Sequence, residues 1–184
     1  MRHSLLPLVC AVIALSLSSC IFSPAKGNGK VVVPPKYDIP FSPEIVMQNL
    51  SKAYAARDTA EYRSLFDPFY IGTSLDQKLG LPVDTLTFDK EASHIRHLYN
   101  TTSISFIEFL LKPAMVRARD AGDPVGWALI QDPMFKLTIS DGNTDYVVPI
   151  TSETIEFRFV PKTPDTSSPT DTTWKIIRWT EVRY

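Results

Sequence analysis

The chain has 184 residues and a formal net charge of −1 at pH 7, and 44% of its residues are hydrophobic. This length is typical of a single domain, and it allows a sizeable packed core. The near-neutral charge provides no basic surface of the kind that binds nucleic acid, so no nucleic-acid partner is expected.

The first twenty residues have the features of a secretory signal. Arg2 gives a positively charged start, and residues 5–17 are almost wholly apolar. The small residues Ser18 and Ser19 then precede Cys20. The apolar run is shorter than the roughly 20 residues that a spanning helix needs, and no basic stop-transfer cluster follows it. These features favour an export signal over an uncleaved anchor.

The segment Leu17-Ser18-Ser19-Cys20 resembles the lipobox of bacterial lipoproteins. The resemblance implies that residues 1–19 are removed as a signal peptide and that lipid on the Cys20 thiol holds the protein on a membrane. Ile21 is not the aspartate that marks inner-membrane retention. The expected location is therefore the cell envelope, on the outer membrane facing the periplasm if the organism is Gram-negative. The alternative is an ordinary secretory signal with a chance cysteine.

The two cysteines leave no disulfide for the folded domain. Cys10 departs with the signal and Cys20 is used for lipid attachment. The domain must therefore be stabilised by its packed core alone.

Residues 20–40 are predicted to form a flexible tether. Pro34, Pro35 and Pro40 favour extended backbone, and the glycines of this segment resist helix formation. A single domain is therefore predicted over residues 41–184.

Two helices are predicted directly after the tether. Ser42 is a suitable N-cap with Pro43 at the first helical position, and apolar residues recur at helical spacing up to Arg57. Asp58 is the predicted N-cap of a second, short helix, with Glu61 three residues later. Its apolar stripe consists of Tyr62, Leu65 and Phe66.

A third helix is predicted after Thr87, preceded by a short strand and a loop. Residues 69–71 are the predicted strand, and the loop is placed at 72–87 because of Gly80 and Pro82. Glu91 falls within the apolar arc of the third helix, so it should be partly covered and need a partner. That arc contains Phe88, Ala92, Ile95, Leu98 and Tyr99.

From Thr102 onward the hydrophobic period changes from helical to two. Asp141-Gly142-Asn143 is a hairpin turn, and residues 162–173 form a polar loop between two further strands. Helices followed by a series of strands predict an α+β domain with the helices packed on one face of an antiparallel sheet. The predicted strands are Ser103–Leu110, Trp127–Ile130, Phe135–Ile139, Tyr146–Ile150, Thr154–Val160 and Trp174–Val182.

Several of these segments resemble the nuclear transport factor 2-like superfamily. They are residues 49–54 (NLSKAY), Arg57-Asp58, Tyr62, Leu65-Phe66, residues 88–91 (FDKE) and residues 174–179 (WKIIRW). The resemblance implies a cystatin-like α+β cone, in which a strongly curved antiparallel sheet wraps around helices and encloses an apolar cavity. Members include ketosteroid isomerases, dehydratases, polyketide cyclases and non-enzymatic binding modules, so the fold implies no single function.

Members of this superfamily often form dimers through the outer face of the sheet. On the last strand, alternation predicts that Ile176 points to one face and that Ile177 and Trp179 point to the other. Apolar bulk on both faces is consistent with a homodimer, or with a strand that changes its environment along its length.

His94 and His97 are the only histidines after the signal. Their spacing on the third helix would allow a shared metal ion, but they are predicted to point away from any cavity. No HExxH pattern or cysteine ligand accompanies them. We therefore predict solvated histidines, no metal site and no cofactor.

Four carboxylates are conceivable catalytic bases: Glu91, Glu108, Glu156 and Glu181. None lies in a recognisable catalytic motif, so no catalytic residue is assigned and enzyme activity is not favoured. The favoured function is a non-catalytic module that binds a small apolar ligand or a protein partner. The alternatives are a cavity enzyme of the isomerase or dehydratase type, and a structural protein that acts through its dimer or sheet surface.

Overall fold

The computed structural model describes residues 37–77, 80–149, 153–162 and 172–184. The predicted signal peptide, Cys20 and most of the predicted tether lie outside these residues. No helix in the described ranges is long and apolar enough to cross a membrane. Residues 37–40 of the predicted tether are described and contact the domain, because the Trp174 N–H donates to the Pro40 carbonyl at 2.8 Å and the Asn49 amide donates to the Asp38 carbonyl at 2.6 Å.

Three helices lie where the local start signals predict them. They are α1 (Pro43–Ala56), α2 (Thr59–Ser64) and α3 (Phe88–Asn100). The Ser42 hydroxyl accepts a hydrogen bond from the Ile45 N–H, and the Asp58 carboxylate accepts from the N–H groups of Ala60 and Glu61. These bonds confirm the two predicted N-caps.

Nine strands within the described residues form two sheets. The six-stranded sheet has the order β2-β1-β9-β8-β5-β4, and the three-stranded sheet has the order β3-β6-β7. The strands are β1 (Phe66–Asp76), β2 (Leu81–Thr87), β3 (Phe106–Leu111), β4 (Arg117–Ala118), β5 (Ala128–Gln131), β6 (Met134–Ser140), β7 (Asp145–Val148), β8 (Glu153–Lys162) and β9 (Thr173–Arg183).

The loop predicted at residues 72–87 was wrong, because β1 and β2 form an antiparallel hairpin there. Pro82 is tolerated because β2 lies at the edge of the sheet. An edge strand has no neighbouring strand on one side, so the missing N–H of a proline can face that side without loss of a hydrogen bond between strands. Gly72 is tolerated because the Tyr70 side chain lies over it. Both residues therefore have roles inside strands.

The six-stranded sheet is mixed, whereas a wholly antiparallel sheet was predicted. Strands β1 and β9 pair in parallel, and the other strand pairs within the described ranges are antiparallel. β1 is the first of the described strands and β9 is the last, so no tight turn connects them and constrains their relative direction.

A bulge at Ile177 changes the alternation along β9. Phe159 of β8 pairs with Ile176, whereas Arg158 pairs with Arg178, so Ile177 is the extra residue. Ile176 and Trp179 consequently both belong to the core, and the prediction that they point to opposite faces was wrong. The strand changes its environment at this bulge.

The loop between β4 and β5 covers part of the outer face of the six-stranded sheet. The Arg158 guanidinium donates to Asp120 at 2.9 Å and to Asp123 at 3.0 Å, both in that loop. Ile177 and Leu129 are buried although they are not part of the main core. Apolar side chains on this face are thus covered within one chain.

The N-cap of α2 provides a test of the local architecture. Asp58→Ala removes hydrogen bonds to Ala60 and Glu61 as well as the acceptor of the Tyr37 hydroxyl, so we expect a loss of about 1–2 kcal/mol in unfolding free energy. Urea denaturation measures this change. Thr87→Ala is the matched control, because the Thr87 side chain makes no cap hydrogen bond within the described chain and its loss should stay below about 0.5 kcal/mol. Equal losses for the two variants would contradict the assignment.

Candidate functional site

A cavity of about 280 Å³ lies between the two sheets and α3. Its apolar wall consists of Leu86, Leu98, Leu137, Ile139 and Val148. Its polar and aromatic lining includes Tyr54, Tyr70, Glu91, Trp179 and Glu181, while Asp84 and His94 are exposed lining residues. The volume is just below the roughly 300–1,000 Å³ typical of ligand pockets, so the cavity suits a small molecule.

Gly72 helps to shape the cavity wall. A Cβ atom at this position would overlap the Tyr70 hydroxyl group. The absence of a side chain therefore allows the Tyr70 ring to lie along β1 with its hydroxyl at the cavity.

Glu91 is a buried carboxylate at the cavity, with 6% of its surface exposed. The Tyr62 hydroxyl donates a hydrogen bond of 2.6 Å to Glu91 Oε1, which confirms the predicted cover and partner. Burial, and after it the negative charge of Glu91, raises the pKa of Tyr54, whose ring packs edge-on to Tyr62 at 5.2 Å. The Tyr54 phenol therefore remains protonated, as a neutral neighbour of the carboxylate.

Glu181 brings a second carboxylate to the same cavity from β9. Burial raises the pKa of Glu181, and the charges of Glu153 and Glu91 add to this effect, while Arg183 and Trp179 oppose it. Two acidic groups on separate elements thus share one small, largely apolar space. Such an arrangement is typical of functional sites, because it is costly for stability alone.

Trp179 lines the cavity and is 9% exposed. Its buried indole N–H has no hydrogen-bond partner among the described residues. The group lies close enough to lower the pKa of Glu181 without forming a well-aligned hydrogen bond to it. Buried donors normally have partners, so this N–H is available to a bound molecule.

The structure separates the four carboxylates considered as bases. Glu91 and Glu181 lie at the cavity. Glu108 is paired with Lys136 at 3.5 Å, and Glu156 accepts from Arg158 and Gln131, so these two belong to surface ion pairs and hydrogen bonds.

The two histidines lie in different places. His97 is exposed, as predicted, whereas His94 lies at the cavity, so the prediction that both point away from it was wrong for His94. The cavity extends beyond the buried arc of α3, and His94 therefore reaches its edge. No group of three or more metal-ligating side chains occurs in the part of the chain that the structure describes.

The sequence does not assign Tyr54, Tyr70 or Trp179 to a site. Tyr70 lies in the predicted strand at residues 69–71, but the loop predicted after it hides the β1–β2 hairpin that forms this wall. The predicted alternation along β9 places Trp179 and Ile176 on opposite faces, whereas the bulge places them on one face. The periodicity of α1 indicated that Tyr54 is buried, but not that it borders a cavity.

The raised pKa of Glu181 predicts a pH-dependent change in stability. The pKa of the Glu181 carboxyl group is higher in the folded state than its ordinary value of 4.5. The folded state therefore binds the proton more tightly than the unfolded state does, and stability is lost as pH rises through the folded pKa. Glu181→Gln should therefore raise the urea midpoint at about pH 8 and have little effect at about pH 3, where the wild-type group is protonated in both states. A larger gain at acidic pH would refute this sign.

Comparison with known proteins identifies the fold but no specific activity. No protein-family model and no curated protein sequence matches the chain. A protein of the nuclear transport factor 2-like family from Streptomyces avermitilis, provisionally described as a dehydratase, is similar with a TM-score of 0.50 and 12% identity, over 76% of this chain and 91% of its own.

Two further solved structures are similar at lower scores. A nuclear transport factor 2-like protein with a cystatin-like fold from Novosphingobium aromaticivorans has a TM-score of 0.48 and 12% identity, over 75% of this chain and 77% of its own. A nuclear transport factor 2-like protein of unknown function from Pseudomonas putida has a TM-score of 0.48 and 10% identity, over 74% of this chain and 80% of its own. This chain has the nuclear transport factor 2-like α+β fold, with a curved mixed sheet and a few helices, as expected from the sequence.

Proposed function

We propose that the protein is a non-catalytic module that binds a small, mainly apolar molecule in this cavity. The observation that carries the proposal is the small cavity itself, whose wall is largely apolar and holds only a few polar groups. The apolar side chains would supply most of the binding free energy, and the few polar groups would orient the ligand.

Ligand binding can be tested with a matched pair of blocking variants. Leu98→Trp places a larger side chain at the cavity, whereas Leu110→Trp adds the same bulk on an exposed position of β3. We expect some members of a library of small apolar compounds to raise the melting temperature of the wild type and Leu110→Trp, but not of Leu98→Trp. Failure of every compound to stabilise the wild type would refute the proposal.

We further propose that lipid on Cys20 holds the protein in the cell envelope, on the outer membrane facing the periplasm if the organism is Gram-negative. The support is the order of charged start, apolar run, small residues and cysteine in residues 1–20. Cys20→Ala should abolish incorporation of radioactive palmitate and leave uncut precursor. Cys10→Ala, within the same signal, should leave labelling intact. Unchanged labelling of the Cys20→Ala variant would exclude the anchor.

A cavity enzyme is the second candidate, and a specific observation favours it. Glu181 has a raised pKa, as a general base working near neutral pH requires, and the Tyr70 hydroxyl lies at the same cavity as a donor. A panel of β,γ-unsaturated ketones and β-hydroxy carbonyl compounds would test this, because isomerisation and dehydration both create a conjugated product that absorbs ultraviolet light. Turnover by the wild type that Glu181→Gln abolishes would establish the enzyme.

A homodimer or protein partner is a third candidate. Exposed apolar side chains lie on the outer face of the three-stranded sheet, including Phe106, Leu110 and Val147. They surround the Glu108–Lys136 ion pair. Sedimentation analysis of the wild type and Leu110→Glu would test self-association, and monomers at all concentrations would exclude the homodimer.

A further inference from the structure

The charges at the cavity have one sign. Asp84, Glu91 and Glu181 contribute three carboxyl groups, and the described lining contains one histidine but no lysine or arginine. An anionic ligand would therefore meet no fixed positive charge at this lining, and it would be repelled by the two carboxylates deepest in burial, Glu91 and Glu181.

Neither the buried Glu91 nor the half-buried Glu181 forms a salt bridge with a lysine or arginine within the described chain. The bond that Glu91 accepts comes from the neutral Tyr62 hydroxyl. Arg183, two residues from Glu181 on β9, donates instead to Glu153 on β8. An unpaired charge in a small, low-dielectric space costs free energy. A cation that enters this cavity would be attracted to the two carboxylates more strongly than it would be in water.

The negative charges of Glu91 and Glu181 affect two tyrosines that border the cavity. Beyond the effect of burial, the charge of Glu91 and then that of Glu181 raise the pKa of Tyr70 on β1. The same two carboxylates act together on Tyr54 of α1. Tyrosines on two different elements thus experience the negative charge of both carboxylates.

Aromatic rings and one free donor complete the lining. Tyr54, Tyr70 and Trp179 border the cavity, and their ring faces attract cations. The unpartnered Trp179 N–H would donate to an oxygen atom of the ligand or to a Glu181 carboxylate that shifts to hold a ligand. A neutral, wholly apolar ligand would offer no positive charge to the two carboxylates and no acceptor to this N–H.

Building on the proposed binding function, we propose that the cavity selects a small organic cation. The ligand is a protonated amine attached to an apolar body, with Glu181 and Glu91 as its counter-ions. The apolar body contacts Leu98, Leu137 and Ile139, while the ammonium group lies between the two carboxylates.

Three probes of similar shape test the charge preference: 2-phenylethylamine, the neutral 2-phenylethanol and the anionic phenylacetate. Binding is measured by calorimetry on the lipidated full chain in phospholipid nanodiscs, with empty nanodiscs as the reference. We expect the amine to bind at least tenfold more tightly than the alcohol, and the anion to bind more weakly than both.

Glu181→Gln keeps the size of the side chain and removes its charge, so the preference for the amine should fall by about tenfold while affinity for the alcohol is retained. Glu108→Gln is the matched control, because Glu108 lies on the outer face of β3 and away from the cavity lining, and it should leave the preference unchanged. A retained preference in Glu181→Gln would exclude Glu181 as a counter-ion.

The outcomes distinguish the two proposals. Equal affinity for the amine and the alcohol, or stronger binding of phenylacetate, overturns the selectivity for cations and leaves the binding function intact. No binding of any probe also overturns the selectivity, whereas the binding function falls only if the wider library of apolar compounds fails as well.

Discussion

Phe157→Ala is expected to lower the free energy of unfolding by about 3–5 kcal/mol, the range for removing a large aromatic side chain from a core. Phe157 is fully buried on β8. Its ring packs 4.6 Å from that of Trp179 and 6.4 Å from that of Phe159, measured between centroids. The surrounding strands are hydrogen-bonded on both sides of β8, so they cannot collapse far enough to fill the space.

Urea denaturation with a constant m-value would measure this loss. Phe135→Ala is the matched control, because Phe135 lies on β6 with 60% of its surface exposed. Its loss should remain below about 1 kcal/mol. Phe157 also supports Trp179 at the cavity, so Phe157→Ala should weaken binding of any cavity ligand. A loss no greater than that of Phe135→Ala would show that the packing around Phe157 is wrong.

Tyr62→Phe is expected to cost roughly 1.5–3 kcal/mol, because it removes a hydrogen bond to a charged, buried acceptor. The Tyr62 hydroxyl donates to Glu91 at 2.6 Å, and both side chains are buried. The phenylalanine ring retains the packing on Tyr54 and Phe66, so the change isolates the hydroxyl group.

A double-mutant cycle with Glu91→Leu separates this bond from other effects, because leucine of similar size has no acceptor for the Tyr62 hydroxyl. The coupling energy should be favourable, because the two side chains interact directly. Tyr146→Phe is the control on an exposed tyrosine and should change stability by less than about 0.5 kcal/mol. Additive effects of Tyr62→Phe and Glu91→Leu would show that the hydrogen bond does not contribute.

The predictions that the structure confirms depend on neighbouring residues in the chain. Ser42 and Asp58 cap helices because their side chains reach N–H groups two or three residues away. Glu91 was expected to be covered because helical spacing places it beside Ala92 and Ile95 on one face of α3. In each case the decisive contact or spacing spans a few residues, so local chemistry is sufficient.

The predictions that failed depend on contacts between distant segments. Gly72 and Pro82 indicate a loop by their local preferences, but tertiary pairing places them in a β-hairpin at the sheet edge. The bulge at Ile177 is defined by the register of β9 against β8, which the alternation of residues cannot show. One extra residue reverses every following side chain, so Trp179 lies on the same face of β9 as Ile176 and borders the cavity.

The sequence by itself determined the α+β class, the starts of the helices and the burial of Glu91. It also carries the signal features on which the proposed anchor at Cys20 rests. Only the tertiary structure decided that Glu91, Glu181 and Trp179 border the same cavity. These residues lie on α3 and β9, far apart in the chain, and strand register sets the direction of the two on β9. Local propensities act over a few residues, whereas a cavity is formed by the surfaces of distant elements, so its chemistry appears only when those elements are packed together.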